Sequence, residues 1–205
     1  HNENYLAKIF KLKDFKEIKG ADNIKLTVID FQEVVVSKSV KEGDVVVFFP
    51  VESTINLDFL SSTNSFRDSN LNKDIEAKGF FDEKGRVKAI KLFKGTVQSM
   101  GYVCPINQLE QFLEVSEGSL DKYVGEEFDI IKDITLCKKY IPKLVNQGGS
   151  SRNQGQSANL TKIVEGQQNF HISTSQLRKN IHKISPEDTI SVTYKTHGTS
   201  FWASN

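Results

Sequence analysis

The chain has 205 residues (23.1 kDa), of which 38% are apolar and 26% charged, with a formal net charge of +1. This balance describes a globular protein and excludes a disordered polyelectrolyte. The longest apolar run, "VVVFFPV" at 45–51, is strand-sized and far short of the roughly 20 residues of a membrane-spanning helix, which excludes a helical span.

The first residues, "HNENYLAK", lack an apolar secretory core, so the expected location is cytoplasmic or otherwise intracellular. Cys104 and Cys137 lie in apolar surroundings without metal-ligand spacing and are expected to be reduced core thiols. The small net charge hides an asymmetry. Residues 136–205 carry 9 Lys and Arg against 3 Asp and Glu, a net of +6, which leaves 18 against 23, a net of −5, for residues 1–135. A polyanion is therefore favoured at the C-terminal third; the alternative is that the acidic and basic parts dock on each other.

In chain order, "LAKIFKLKDFKEI" (6–18) mixes alternation with lysines, and "IKLTVIDF" (24–31) and "EVVVSKS" (33–39) are rich in the β-branched and aromatic residues that favour strands. "VKEGD" (40–44) reads as a turn with Gly43 supplying positive φ, leading into the strand "VVVFFPVES" (45–53), which Pro50 ends or places at an edge. The polar stretch 61–75, "SSTNSFRDSNLNKDI", predicts a long loop, and its Arg67 is given no role. "GRVKAIKLFKGTVQSMGYVCPI" (85–106) predicts two further strands broken by Gly95 and Gly101. Closely spaced strands with glycine-marked corners and little helix predict a small closed barrel of the OB type over residues 1–135. "QLEQFLEV" (108–115) predicts a short helix with Leu109, Phe112 and Leu113 on one face.

Residues 146–159, "NQGGSSRNQGQSAN", hold a single apolar residue, Ala158, and are expected to be mobile, because they cannot bury enough surface to offset their ordering entropy. In "STSQLRKNIHKI" (173–184), Ser173 or Thr174 is expected to cap a helix that turns Leu177, Ile181 and Ile184 inward. Arg178, Lys179, His182 and Lys183 would then point outward or sideways, where they could track phosphates or form an ordinary solvated face. "TISVTYK" (189–195) alternates as a strand and would deliver Lys195 to its end. The fold expected is mainly β with some α. An OB-like barrel at 1–135 would be followed, at 136–205, by the opening of an α+β domain.

OB-type barrels bind single strands through aromatics in a basic groove. Phe31, Phe48, Phe49, Phe80, Phe81 and Phe93 are the candidate aromatics, and Lys88, Lys91 and Lys94 a candidate basic strip. The net charge of −5 argues against strong RNA binding by the barrel alone.

Lys195 lies three residues before Gly198, in "VTYKTHGTSFW" (192–202). A lysine amine can attack the α-phosphorus of a nucleoside triphosphate once it has lost its proton, and burial, cations and a metal-neutralised phosphate favour the neutral amine. Gly198 would let the backbone approach the nucleotide, while Thr196, Thr199 and Ser200 offer hydroxyls and His197 could hold the loop or contact phosphate. Taken alone, K-x-x-G-T-S is also the composition of a solvated turn.

"VTYKTHGTS" resembles the nucleotidyl-acceptor motif of polynucleotide ligases and mRNA capping enzymes, and its "KTHG" form resembles the RNA ligase branch. Further upstream, "GADNIKLTVIDFQEVVVSKSVKEGDVVVFFPVES" (20–53), "GRVKAIKLFKGTVQSMGYVCPI", "YIPKLVNQ" (140–147) and "NFHISTSQLRKNIHKISPEDTISVTYKTHGTS" (169–200) are similar to RNA ligases of the Deinococcus and Naegleria type. In those enzymes an OB-like barrel precedes the catalytic domain. The resemblance implies an ATP-dependent RNA ligase that acts with Mg²⁺ or Mn²⁺ on RNA ends or nicked duplex and needs no membrane. Lys195 would take AMP from ATP, pass it to an RNA 5′-phosphate, and a 3′-hydroxyl would then displace it. By the same analogy Thr193, Tyr194, Thr196, His197, Gly198 and Ser200 would line the nucleotide pocket. Tyr194 stands where many relatives carry glutamate. The later motifs of that family do not occur in the ten residues after Lys195, so the sequence is expected to be a portion of a longer protein or its ordered part. Two other readings stay open: a stand-alone OB-type module that binds RNA or a protein, and a nucleotidyltransferase with another acceptor, such as a DNA ligase or a capping enzyme.

Overall fold

The computed structural model describes residues 3–141 and 176–194. They belong to two compact units, His1–Ser173 and Thr174–Asn205.

The first unit begins with a 3₁₀ turn at Glu3–Tyr5 and continues through β1 (Ala7–Lys11), β2 (Lys16–Glu17), β3 (Ile24–Ile29), β4 (Gln32–Ser37) and β5 (Val45–Pro50). Then come β6 (Ser53–Ile55), α1 (Leu57–Ser62), β7 (Ile90–Leu92), β8 (Val97–Ser99), β9 (Gly101–Pro105) and α2 (Ile106–Phe112). Four short strands close it: β10 (Glu127–Phe128), β11 (Ile130–Ile131), β12 (Ile134–Thr135) and β13 (Cys137–Lys139).

β5 is central to one sheet, antiparallel to β1 on one side and to β9 on the other, with Lys8 opposite Phe48 and Phe49 opposite Tyr102. A second sheet runs β2–β3–β4. The chain bends between β1 and β2, where Asp14 adopts φ 54°, so these two strands act as halves of one bent strand shared by both sheets. The other side closes where β4 lies against β8 and β9. There the Met100 N–H donates to the Glu33 carbonyl at 2.9 Å, and the Ser99 hydroxyl accepts the Val35 N–H at 3.0 Å. The ring β1/β2–β3–β4–β9–β5–β1 is a closed barrel with little helix, as the alternation and turn spacing predicted.

β5 is buried on both faces. Val47 and Phe49 join Ile9, Phe59, Leu109 and Leu136 in the larger core, while Val46 and Phe48 join Leu12, Ile29 and Val34 in a second one. Phe48 and Phe49 are therefore core residues and not the stacking aromatics expected from sequence, since a strand covered on two sides has no solvent face; Phe81, from the 51–100 segment, is buried in the larger core as well. Gly101 sits opposite Pro50, where a β-carbon would run into the Phe48 ring. The 85–106 stretch forms three short strands instead of two.

Residues 51–100 are inserted between β5 and β9. Asn56 caps α1, its Oδ1 accepting the Phe59 N–H at 3.0 Å, and the helix buries Phe59 and Leu60. The predicted loop 61–75 is more structured than its polarity indicated. Ser61 and Ser62 finish α1, Ser69–Leu71 forms a 3₁₀ turn, and the buried Asn72 amide bonds to both backbone groups of Phe66 and to the Ala77 carbonyl. β13 pairs with β6, so the first unit runs past residue 135.

In the second unit, α3 (Leu177–Asn180) is a single turn with Gln176 at its N-cap, continued by a 3₁₀ turn at Ile181–Lys183. The predicted helix was longer and turned Leu177, Ile181 and Ile184 inward. All three are exposed, at 60%, 51% and 37%. A one-turn helix lacks the length that offsets nucleation, and no described core packs on it. Residues 189–194 form no strand and are exposed, because no described chain offers them a ladder. Ser173, Thr174 and the segment 146–159 lie outside the described residues.

Candidate nucleic-acid interface

The nucleotide-pocket residues fall at the edge of what the structure describes. Lys195, Thr196, His197, Gly198 and Ser200 lie outside the described residues, and Thr193 and Tyr194, just before them, are solvent-exposed. Arg178 and Lys179 sit on α3, half-buried. Among the described residues no group of three His, Cys, Asp or Glu side chains gathers to hold a metal, and the lysine motif itself lies outside them.

In the first unit a cleft of about 590 Å³ opens between the barrel face and the 51–100 insertion. Val35 of β4 and Gly101 and Tyr102 of β9 form its barrel side. Phe80 and Phe81 come from the insertion, with ring centroids 5.3 Å and 4.9 Å from Tyr102 in edge-on geometry. Burial raises the Tyr102 phenol well above its usual range, assisted by Cys104 and opposed by a hydrogen bond with Ser65. Phe80 is 46% exposed.

The rim carries charge. The Arg86 Nη2 reaches both oxygens of Glu52 at 2.7 Å, and its guanidinium lies 4.4 Å from the Tyr140 ring centroid. The hydrogen bond with Glu52 is the main reason its affinity for a proton rises further. Lys88 contacts Asp82 at 2.6 Å. Burial opposes ionisation of Asp82, but hydrogen bonds from Lys88 and the Lys84 N–H, with both lysine charges, hold its carboxyl below the ordinary range. Arg67 donates through Nη2 to the Phe80 carbonyl at 3.4 Å and has no ion pair among the described residues.

Lys88, Lys91 and Lys94 do not form one strip. Lys88, Ile90 and Leu92 line the cleft, so the period-two alternation turns Lys91 to the opposite face of the β7–β8 hairpin. Lys94 sits at the hairpin tip with φ 56°. The candidate aromatics divide as well: Phe80 borders the cleft, whereas Phe31 and Phe93 are exposed in left-handed turns, at φ 62° and 49°. Sequence reasoning gave no role to Arg67 or Tyr102. Arg67 reaches the cleft only because Phe66 bridges to Phe81 across the insertion, and no local pattern encodes that pairing.

A second cavity of about 970 Å³ lies between β1, β10 and the 113–132 segment, lined by both lysine and glutamate. The two cysteines are free and buried, as expected; burial pushes both thiols up to about 12.

A family model described as an OB-fold domain matches residues 6–106. The chain is mainly β with few helices, and those residues form an OB-fold domain. A Naegleria gruberi RNA ligase mutant in the apo state is similar at 19% identity and a TM-score of 0.43, covering 86% of this chain and 44% of its own. A mutant of the Naegleria gruberi RNA ligase with AMP and Mn matches at 22% identity and a TM-score of 0.42, over 67% of this chain and 35% of its own. Another with ATP and Mn matches at 22% identity and 0.42, over 66% and 35%. The chain thus spans less than half the length of these solved structures. No curated protein matches the chain. No helix among the described residues is long and apolar enough to cross a membrane.

Proposed function

We propose that the chain is part of an ATP-dependent RNA ligase that works through a lysine–AMP intermediate. One observation carries this reading: an OB-fold domain at 6–106 is followed, in the order found in such ligases, by "VTYKTHGTS" at 192–200. The neutral Nζ of Lys195 would attack the α-phosphorus of ATP; an N–P bond forms and the P–O bond to pyrophosphate breaks. Thr193, Tyr194, Thr196, His197, Gly198 and Ser200 would surround the nucleotide, the glycine leaving room for close backbone approach. A divalent cation, Mg²⁺ or Mn²⁺, would neutralise the phosphates and favour departure of pyrophosphate. The AMP then passes to an RNA 5′-phosphate, and a 3′-hydroxyl displaces it.

The test is labelling of the intact natural polypeptide with α-labelled ATP and, in parallel, α-labelled GTP. Label from ATP alone, discharged by 5′-phosphorylated RNA and not by 5′-phosphorylated DNA, is the expected result. Label from GTP would favour a capping-type reaction, and discharge by DNA a DNA ligase. An unlabelled protein that binds RNA would favour a stand-alone binding module.

A further inference from the structure

The cleft between the barrel and its insertion differs from the rest of the first unit in charge. Residues 1–135 carry a net of −5, which repels a polyanion as a whole, yet three cations and one carboxylate line the cleft. Two of those cations are already held, Arg86 by Glu52 and Lys88 by Asp82, which leaves the Arg67 guanidinium with a carbonyl as its partner among the described residues. A planar guanidinium beside an open cleft is suited to two-point contact with phosphate. Next to it, Phe80 is half-exposed and held edge-on against Tyr102, in the manner of aromatic platforms on which unpaired bases stack. At about 590 Å³ the cleft falls within the roughly 300–1,000 Å³ of small-ligand sites.

The site is also preorganised. Phe66 and Arg67 are tied to Phe81 through a backbone bridge, with the Arg67 N–H donating to the Phe81 carbonyl at 2.8 Å. Asn72 locks the same turn from behind with three hydrogen bonds. A phosphate and base would meet side chains already in place, which lowers the ordering cost of binding.

We propose that this cleft seats one unstacked nucleotide of a single-stranded RNA, with Phe80 stacking on the base and Arg67 contacting the adjoining phosphate. The choice of RNA among polyanions rests on the ligase reading; the pocket itself rests on the cleft. An apolar peptide would bury the Arg67 charge without a partner, which disfavours it as occupant. The insertion, and not the barrel strands alone, supplies both recognising side chains.

The experiment is fluorescence anisotropy of a labelled single-stranded RNA oligonucleotide titrated with the 205-residue chain at several salt concentrations. Phe80→Ala is expected to weaken binding about tenfold, and Phe80→Trp to restore it. Arg67→Glu is expected to weaken it tenfold or more and to reduce the dependence of log affinity on log salt by about one counterion. Lys122→Glu, the same charge change at the other cavity, is expected to change affinity less than twofold, as a control for long-range field. Matching thermal melts confirm that the variants fold. The proposal is overturned if the wild-type chain does not bind, or if folded Arg67→Glu and Phe80→Ala bind as it does. It is also overturned if an acidic peptide competes for the cleft and RNA does not. The ligase reading fails by a separate readout, absence of AMP on Lys195, which involves neither RNA nor any residue of the cleft.

Discussion

Gly79 packs so closely on Ser65 that a β-carbon at position 79 would collide with the Ser65 carbonyl group. The contact is backbone on backbone, so no side-chain rotation relieves it. It also positions Phe80 and Phe81, whose N–H groups both donate to the Ser65 carbonyl at 3.0 Å. Gly79→Ala is therefore expected to cost about 3 kcal/mol by overpacking. Urea denaturation monitored by circular dichroism would show this as a lower midpoint at unchanged slope. A stability equal to wild type would mean that the insertion does not pack as described.

Glu110 is a buried carboxylate on α2 that accepts the N–H groups of Gly118 and Leu120, both at 3.0 Å. It ties the 116–120 turn to the helix. Glu110→Ala leaves those donors without their acceptor and is expected to cost about 3 kcal/mol, with Glu110→Gln, which retains one acceptor oxygen, near half of that. Thermal melts of the two variants side by side would check the order.

Glu52 holds a left-handed backbone, φ 65°, where its N–H donates to Val87 and its carbonyl accepts from Tyr140, both at 2.8 Å. Its side chain, about half exposed, pairs with Arg86. Solvent screening keeps that pair at about 0.2–1 kcal/mol. A double-mutant cycle with Glu52→Gln and Arg86→Met should return a coupling in that range, shrinking in 1 M salt on the order expected for a partly exposed pair.

The two thiols give stability a pH dependence with a definite sign. In the unfolded chain they ionise near 9, whereas burial, opposed by backbone hydrogen bonds at Val47 and Ala7, holds them neutral up to about 12 in the folded state. The unfolded state thus binds fewer protons than the native state between those values. Stability is fully present below pH 9 and is lost as pH rises towards 12, at about 1.4 kcal/mol per pH unit for each thiol. Denaturant midpoints at pH 8 and pH 10 should show the fall, and Cys104→Ala with Cys137→Ala should flatten it. A slope unaffected by removing both thiols would contradict this assignment.

The residues that were legible in the sequence are those whose surroundings are asymmetric along the chain. β4 buries Val34 and Val36 while Glu33 and Ser37 face out, and the alternation is plain. β5 is different: consecutive Phe48 and Phe49 enter separate cores, so nothing local distinguishes them from surface aromatics such as Phe31. Only the partners of β5, contributed from residues 7–11 and 101–105, settle the matter. Arg67 illustrates the same limit at the cleft, since its place depends on a bridge between Phe66 and Phe81. Leu177, Ile181 and Ile184 show the reverse error, a clean helical period with no described core to receive it. The lysine motif is contiguous and so needs no tertiary partner to be noticed, but Lys195 to Ser200 lie outside the described residues.

The most direct test of the account is the intact mass of the natural polypeptide carrying these residues, before and after incubation with ATP and Mn²⁺, followed by peptide mapping. The account predicts a gain of one AMP located on Lys195 and lost in Lys195→Ala. A protein that binds ATP yet gains no AMP, or gains it elsewhere, would contradict Lys195 as the nucleophile and the ligase reading with it.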